Sequence, residues 1–201
     1  MTHGAWPRYG SAVFIAAVAL ATPATAFAHP GDDAGGLATG FAHPLSGLDH
    51  VLAMIAVGLW GAQLGRPAVW LLPVAFPMMM AVGGFVGLIG VHLPGVEIGI
   101  ALSACVLGAM VLLEARPDLR IAAMLVGVFA IFHGHAHGTE LPPGDGGLLY
   151  SIGFVTGTGF LHAVGIGIGL IHAWPIGRVT LRLSGLAVTL AGLLFMTRVL
   201  W

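Results

Sequence analysis

The chain has 201 residues, 58% hydrophobic and only 7% charged, with a net charge of −1 and ten histidines against eight acids. A soluble domain carries about 25% charged residues, so this chain cannot coat a globular surface with polar groups and reads as an integral membrane protein. Seven arginines, no lysine and a near-neutral balance give no support to a nucleic-acid partner, which would want a basic patch. The single Cys105 lies in an apolar run and has no partner for an intramolecular disulfide.

Taken in order, residues 1–28 read as an export signal. Arg8 supplies the positive region, Ser11 to Ala21 the apolar core before Pro23, and Ala26-Phe27-Ala28 the cleavage site. Residues 29–43 then form a polar, Gly-rich lead on the extracytoplasmic side, carrying His29, Asp32 and Asp33. Residues 44–201 read as one all-α transmembrane domain of about six helices, since a span needs about 20 apolar residues. The spans run from about Pro44 to Gly65, Ala68 to Val91, Val96 to Leu113, Arg120 to His137, Leu148 to Ala173 and Leu183 to Leu200. Pro73 and Pro77 mark a kink in the second. Glycines at 83, 87 and 90, and at 153, 157, 165 and 169, suit close helix packing in lipid.

Arginine sets the orientation. With the mature N-terminus outside, Arg66, Arg116, Arg120, Arg178 and Arg182 fall in cytoplasmic loops, and only Arg198 on the other side. That agrees with the direction set by the export signal.

Two stretches hold most of the ionisable chemistry, and intramembrane ionisable residues mark functional sites by default. The first is H-P-L-S-G-L-D-H, from His43 to His50. Seven residues at about 100° each would bring His50 within roughly 20° of His43. Pro44, however, suits the first helical position and so places His43 at the cap. Asp49 points about 100° from His50, and reads either as a direct ligand or as the acceptor that orients an imidazole. The second stretch is F-H-G-H-A-H-G-T-E, from Phe132 to Glu140. His133 and His137 share a helical face, His135 points the other way, and Gly138 suits a C-cap that leaves Glu140 free to fold back. Imidazole and carboxylate without thiolate suit Ni²⁺, and Co²⁺ or Zn²⁺ nearly as well. The candidate metal ligands are therefore His43, Asp49, His50, His133, His135, His137, Glu140 and the deeper His162. The plain alternative, a histidine bonded to a neighbouring carbonyl, is the reading for His172; His92 reads as interfacial.

These two stretches resemble the signatures of the HupE/UreJ family of nickel permeases, associated with hydrogenase and urease maturation. The family's H-P-x-x-G-x-D-H pattern is met by His43, Pro44, Gly47, Asp49 and His50. Its F-H-G-x-A-x-G-x-E pattern is met by Phe132, His133, Gly134, Ala136, Gly138 and Glu140. The resemblance implies a multi-pass protein of the bacterial plasma (inner) membrane that is not an enzyme. It implies Ni²⁺ as the transported ion, and hydrogenase or urease maturation proteins as partners. Without lysine the chain holds no ATP-binding G-x-x-x-x-G-K-[ST] loop, so movement is downhill, coupled to another ion or driven by a partner. Free imidazoles protonate near pH 6.5, which would weaken metal binding in acid. Two other classes stay open: a membrane electron carrier with haem between His50 and His133 or His162, and a metal-sensing scaffold that transports nothing.

Overall fold

A computed structural model describes residues 36–141 and 147–201. The export signal, His29, Asp32 and Asp33 lie outside the described residues. Seven α-helices follow one another: α1 (Leu37–Ser46), α2 (Leu48–Leu64), α3 (Ala68–Leu88), α4 (Val96–Leu112), α5 (Leu119–Thr139), α6 (Gly147–Gly169) and α7 (Pro175–Leu200), with a 3₁₀ turn at Leu170–Ala173 before the last. Among the described residues, four segments are long and apolar enough to cross a membrane: α3, α5, α6 with its 3₁₀ turn, and α7. The bent pair α1–α2 makes a fifth crossing when taken together, and α4 is a shorter apolar helix. The all-α membrane bundle expected from composition is the architecture observed.

The first span differs in shape from the expectation. Its helix begins at Leu37, before Pro44, and Pro44 lies inside α1 and is buried. The break falls at Gly47, whose backbone is extended (φ −97°, ψ 117°), and α2 leaves at 87° to α1. The cause is long-range. α1 packs along α6 so closely that a Cβ on Gly40 would run into the Tyr150 carbonyl, and one on Gly153 into the Leu37 carbonyl. The Pro44 ring lies 2.9 Å from where a Gly157 Cβ would be. Pro44 forfeits one helical hydrogen bond, and this packing offsets it.

The last span also starts earlier than expected. Pro175 takes the first helical position, which its fixed φ suits, and α7 runs 26 residues. Arg178 and Arg182 therefore sit in its opening turns rather than in a loop. Gly90, expected to pack, is instead a turn residue at φ 75°, a conformation that glycine adopts without steric cost.

Three further helix pairs share the device that seats α1 on α6. Hydrophobic burial does not drive helices together inside lipid, so close van der Waals contact through small residues must. Gly134 of α5 faces the Met80 carbonyl of α3, and Gly83 of α3 faces the Ile131 carbonyl of α5. Gly58 of α2 meets the His162 carbonyl of α6, while Gly165 meets the Ile55 carbonyl in return. Gly108 and Gly185 bring α4 onto α7.

Helix connections divide the bundle into two ends. One end is formed by the α2–α3, α4–α5 and α6–α7 connections, with Arg66 and Arg116 in them and Arg120, Arg178 and Arg182 in the opening turns of α5 and α7. There the open carbonyls at the end of α4 and just after it receive donors from its neighbours. Gln63 Nε2 donates to the Val111 carbonyl at 3.2 Å, Arg182 Nε to Leu112 at 3.2 Å, and Trp60 Nε1 to Ala115 at 2.9 Å. Trp60 is fully buried, so Trp60→Phe leaves the Ala115 carbonyl without that donor. The expected loss is about 1 kcal/mol, read as a lower thermal midpoint of the detergent-solubilised protein. The other end holds the histidines of the two motif stretches.

Candidate functional site

The H-P-L-S-G-L-D-H stretch is a corner. His43 lies in the last turn of α1 and His50 in the first turn of α2, so the bend at Gly47 turns two separate helices toward one point. α5 arrives from the opposite direction, its closing turns carrying His133, His137 and, as the residue that ends the helix, Glu140. Gly138, expected as a C-cap, is helical and buried against the Gly84 carbonyl of α3; it seats the histidine face rather than ending it.

The rings converge. His43 Nε2 and His137 Nδ1 are 3.0 Å apart, one donating to the other. Glu140 Oε2 stands 3.5 Å from His43 Nε2 and 3.9 Å from His137 Nδ1. These three side chains each offer one ligand atom within 4.8 Å of the others. Nitrogen ligands bind metals at about 2.1 Å, so two at a right angle stand about 3 Å apart, which the His43–His137 pair meets. The ring of His50 lies between those of His137 and His133, with centroids 4.3 Å and 4.4 Å away.

Proton inventory shows which nitrogens are free. Asp49 Oδ1 accepts from the His50 backbone N–H at 2.8 Å and lies 3.2 Å from His50 Nδ1. It turns back on its own helix end, where the first N–H groups lack partners, instead of facing a neighbouring helix. A carboxylate only accepts, so Nδ1 of a neutral His50 carries the proton and Nε2 keeps a lone pair. His50 Nε2, His133 Nδ1 and His137 Nε2 are all buried without a hydrogen-bond partner. Buried polar atoms are nearly always paired, and exceptions call for an ion, water or catalytic role.

Residues 16–195 match the family described as HupE / UreJ protein. The chain belongs to this family. It is 47% identical over 174 residues to Protein HupE of Rhizobium leguminosarum bv. viciae, covering 87% of this chain and 91% of that protein. No solved structure matches it. As a HupE/UreJ member the chain is a multi-pass membrane transporter and not an enzyme.

The other candidates of this HupE/UreJ chain stand apart from the cluster. His135 Nε2 donates to the Val91 carbonyl at 2.8 Å, tying α5 to the turn after α3. His172 Nδ1 donates to the Gly169 carbonyl at 3.0 Å, as the plain reading had it. His162 of α6 is 1% exposed and has no hydrogen-bond partner on either ring nitrogen. Phe76 stands edge-on between it and the cluster, 5.4 Å from His162 and 5.6 Å from His133 by ring centroids. Residues not singled out from sequence also touch the rings. Phe154 lies 4.4 Å from His137, and Tyr150 5.7 Å from His43; Ser103 lies 2.8 Å from His133. Nothing in the sequence distinguishes them from ordinary packing residues of apolar helices. Since the His50 and His133 rings are in contact, no slot for a porphyrin lies between that pair.

Two cavities flank the site. One of about 270 Å³ reaches His137 between Pro77, Gly84, Tyr150 and Phe154. The other, of about 400 Å³, brings Glu140 and His135 together with His92 and Glu97.

Proposed function

We propose that this chain is a nickel permease of the bacterial inner membrane, taking up Ni²⁺ for hydrogenase or urease maturation. In this reading His43, His137 and Glu140 receive the ion, and His50 and His133 hold it next. Asp49 orients His50, and His162 is the following step beyond Phe76. His135 is a structural tie. One observation carries the reading: three buried imidazole nitrogens without partners, on touching rings, directly beside a His–His–Glu trio. Imidazole with one carboxylate suits Ni²⁺, and Co²⁺ as a competitor. A donor set of so few charges also releases its ion, the general condition on conduction.

The arginine-bearing end is cytoplasmic by the positive-inside rule, so the histidine end faces outward, where the metal arrives. Uptake of radiolabelled nickel into vesicles containing this protein alone should fall at least tenfold in His50→Ala. Excess unlabelled Ni²⁺ should compete best, Co²⁺ next and Zn²⁺ least. Unchanged uptake by His50→Ala at limiting metal and equal protein would remove the role given to that ring. Wild-type vesicles that accumulate no nickel would favour a sensing scaffold.

A further inference from the structure

Ser103 sits on α4, in an apolar stretch with no other polar side chain nearby in sequence, and is fully buried. Its Oγ lies 2.6 Å from the Ile100 carbonyl of its own helix and 2.8 Å from Nε2 of His133 on α5. A carbonyl oxygen can only accept, and a serine hydroxyl has one proton to give. That proton therefore goes to Ile100. The second contact is a hydrogen bond only when His133 Nε2–H donates to Oγ. The ring is then held as the Nε2–H tautomer, with the lone pair on Nδ1, the atom left buried and unpartnered beside His50.

We propose that Ser103 is a positioning residue for metal transfer: its hydroxyl, already committed to Ile100, fixes His133 in the tautomer and orientation that present Nδ1 to the ion. The inference rests on the reading of His133 as a ligand of the transported metal. The logic is that of the carboxylate behind a metal-bound histidine, whose loss typically costs 10–100-fold in affinity. Here a neutral hydroxyl does it by running out of protons. His50 is set the opposite way, with its Nδ1–H donating to Asp49 Oδ1 and Nε2 bare, so the two adjoining rings present different nitrogens.

The test compares wild type, Ser103→Ala, Ser103→Thr and His133→Ala in two measurements. Concentration dependence of nickel uptake into vesicles reads affinity independently of protein amount. Nitrogen-15 NMR of histidine-labelled, metal-free protein reads the His133 tautomer, assigned as the signal missing from His133→Ala. The expected result is a wild-type His133 protonated at Nε2. Ser103→Ala should mix tautomers and raise half-saturating nickel about tenfold, and Ser103→Thr, which keeps the hydroxyl, should lie closer to wild type. Uptake lost in His133→Ala but unchanged in Ser103→Ala would overturn the role of Ser103 and leave the ligand reading standing. A wild-type His133 protonated at Nδ1 would overturn it as well. Normal uptake by His133→Ala would instead overturn the ligand reading itself.

Discussion

Replacing His137 with alanine is expected to abolish nickel accumulation at limiting external metal, to below about a tenth of wild type, while His135→Ala retains more than half. The two residues are two positions apart on α5 and differ in what they face. His137 meets His43 through Nδ1 at 3.0 Å, leaves Nε2 buried and free, and stacks edge-on with His50. It joins the trio with Glu140 to the His50 ring, so its loss separates that trio from the rings beneath. His135 has its Nε2 hydrogen engaged on the Val91 carbonyl; its alanine variant loses one hydrogen bond, about 1 kcal/mol, and no ligand. Nickel-63 accumulation per unit of immunodetected protein measures both. Equal losses in the two variants would mean that α5 acts through its fold and not through a ligand face.

A large structural effect is expected at Gly134. A Cβ there would fall on the Met80 carbonyl and within 2.9 Å of the Gly84 nitrogen, backbone atoms that cannot swing aside. Gly134→Ala must push α3 and α5 apart along the face that carries the histidines. The loss should exceed about 2 kcal/mol, toward the upper range for overpacking, and Gly134→Leu should leave little monodisperse protein. Gly159 on α6 has nothing within 4 Å of its added Cβ, so Gly159→Ala is the control and should melt within about 0.5 kcal/mol of wild type. Melting curves of detergent-purified variants decide it; a Gly134→Ala midpoint equal to that of Gly159→Ala would refute the contact.

Much of this was legible in the residues. Low charge and repeated apolar runs of spanning length give the all-helical bundle, and the His43–His50 and His133–Glu140 stretches hold the side chains that meet. The shape of the first span was not. Local rules place Pro44 at a helix start, and only the fit of Gly40, Gly153 and Gly157 between α1 and α6, more than a hundred residues apart for the first two, carries the helix through it to a corner at Gly47. Gly138 misled for the same reason: a glycine near a helix end looks like a cap until the opposing Gly84 backbone is seen. Ser103 carries no sequence signal at all, because a lone serine in an apolar helix usually satisfies itself on its own backbone, as this one does in part. Its second contact exists only through the packing of α4 on α5.

The glycine contacts between α3 and α5 also act as a mechanical stop. With backbone resting on backbone at Gly83, Gly134 and Gly138, the ligand-bearing helix has no further inward travel, whatever ion approaches. Adjustment to a smaller or larger cation is left to the corner at Gly47, between α1 and α2, which are themselves seated on α6 through Gly40, Gly153, Gly58 and Gly165. Efforts to retune selectivity belong at residues around Gly47, since α5 is an anvil.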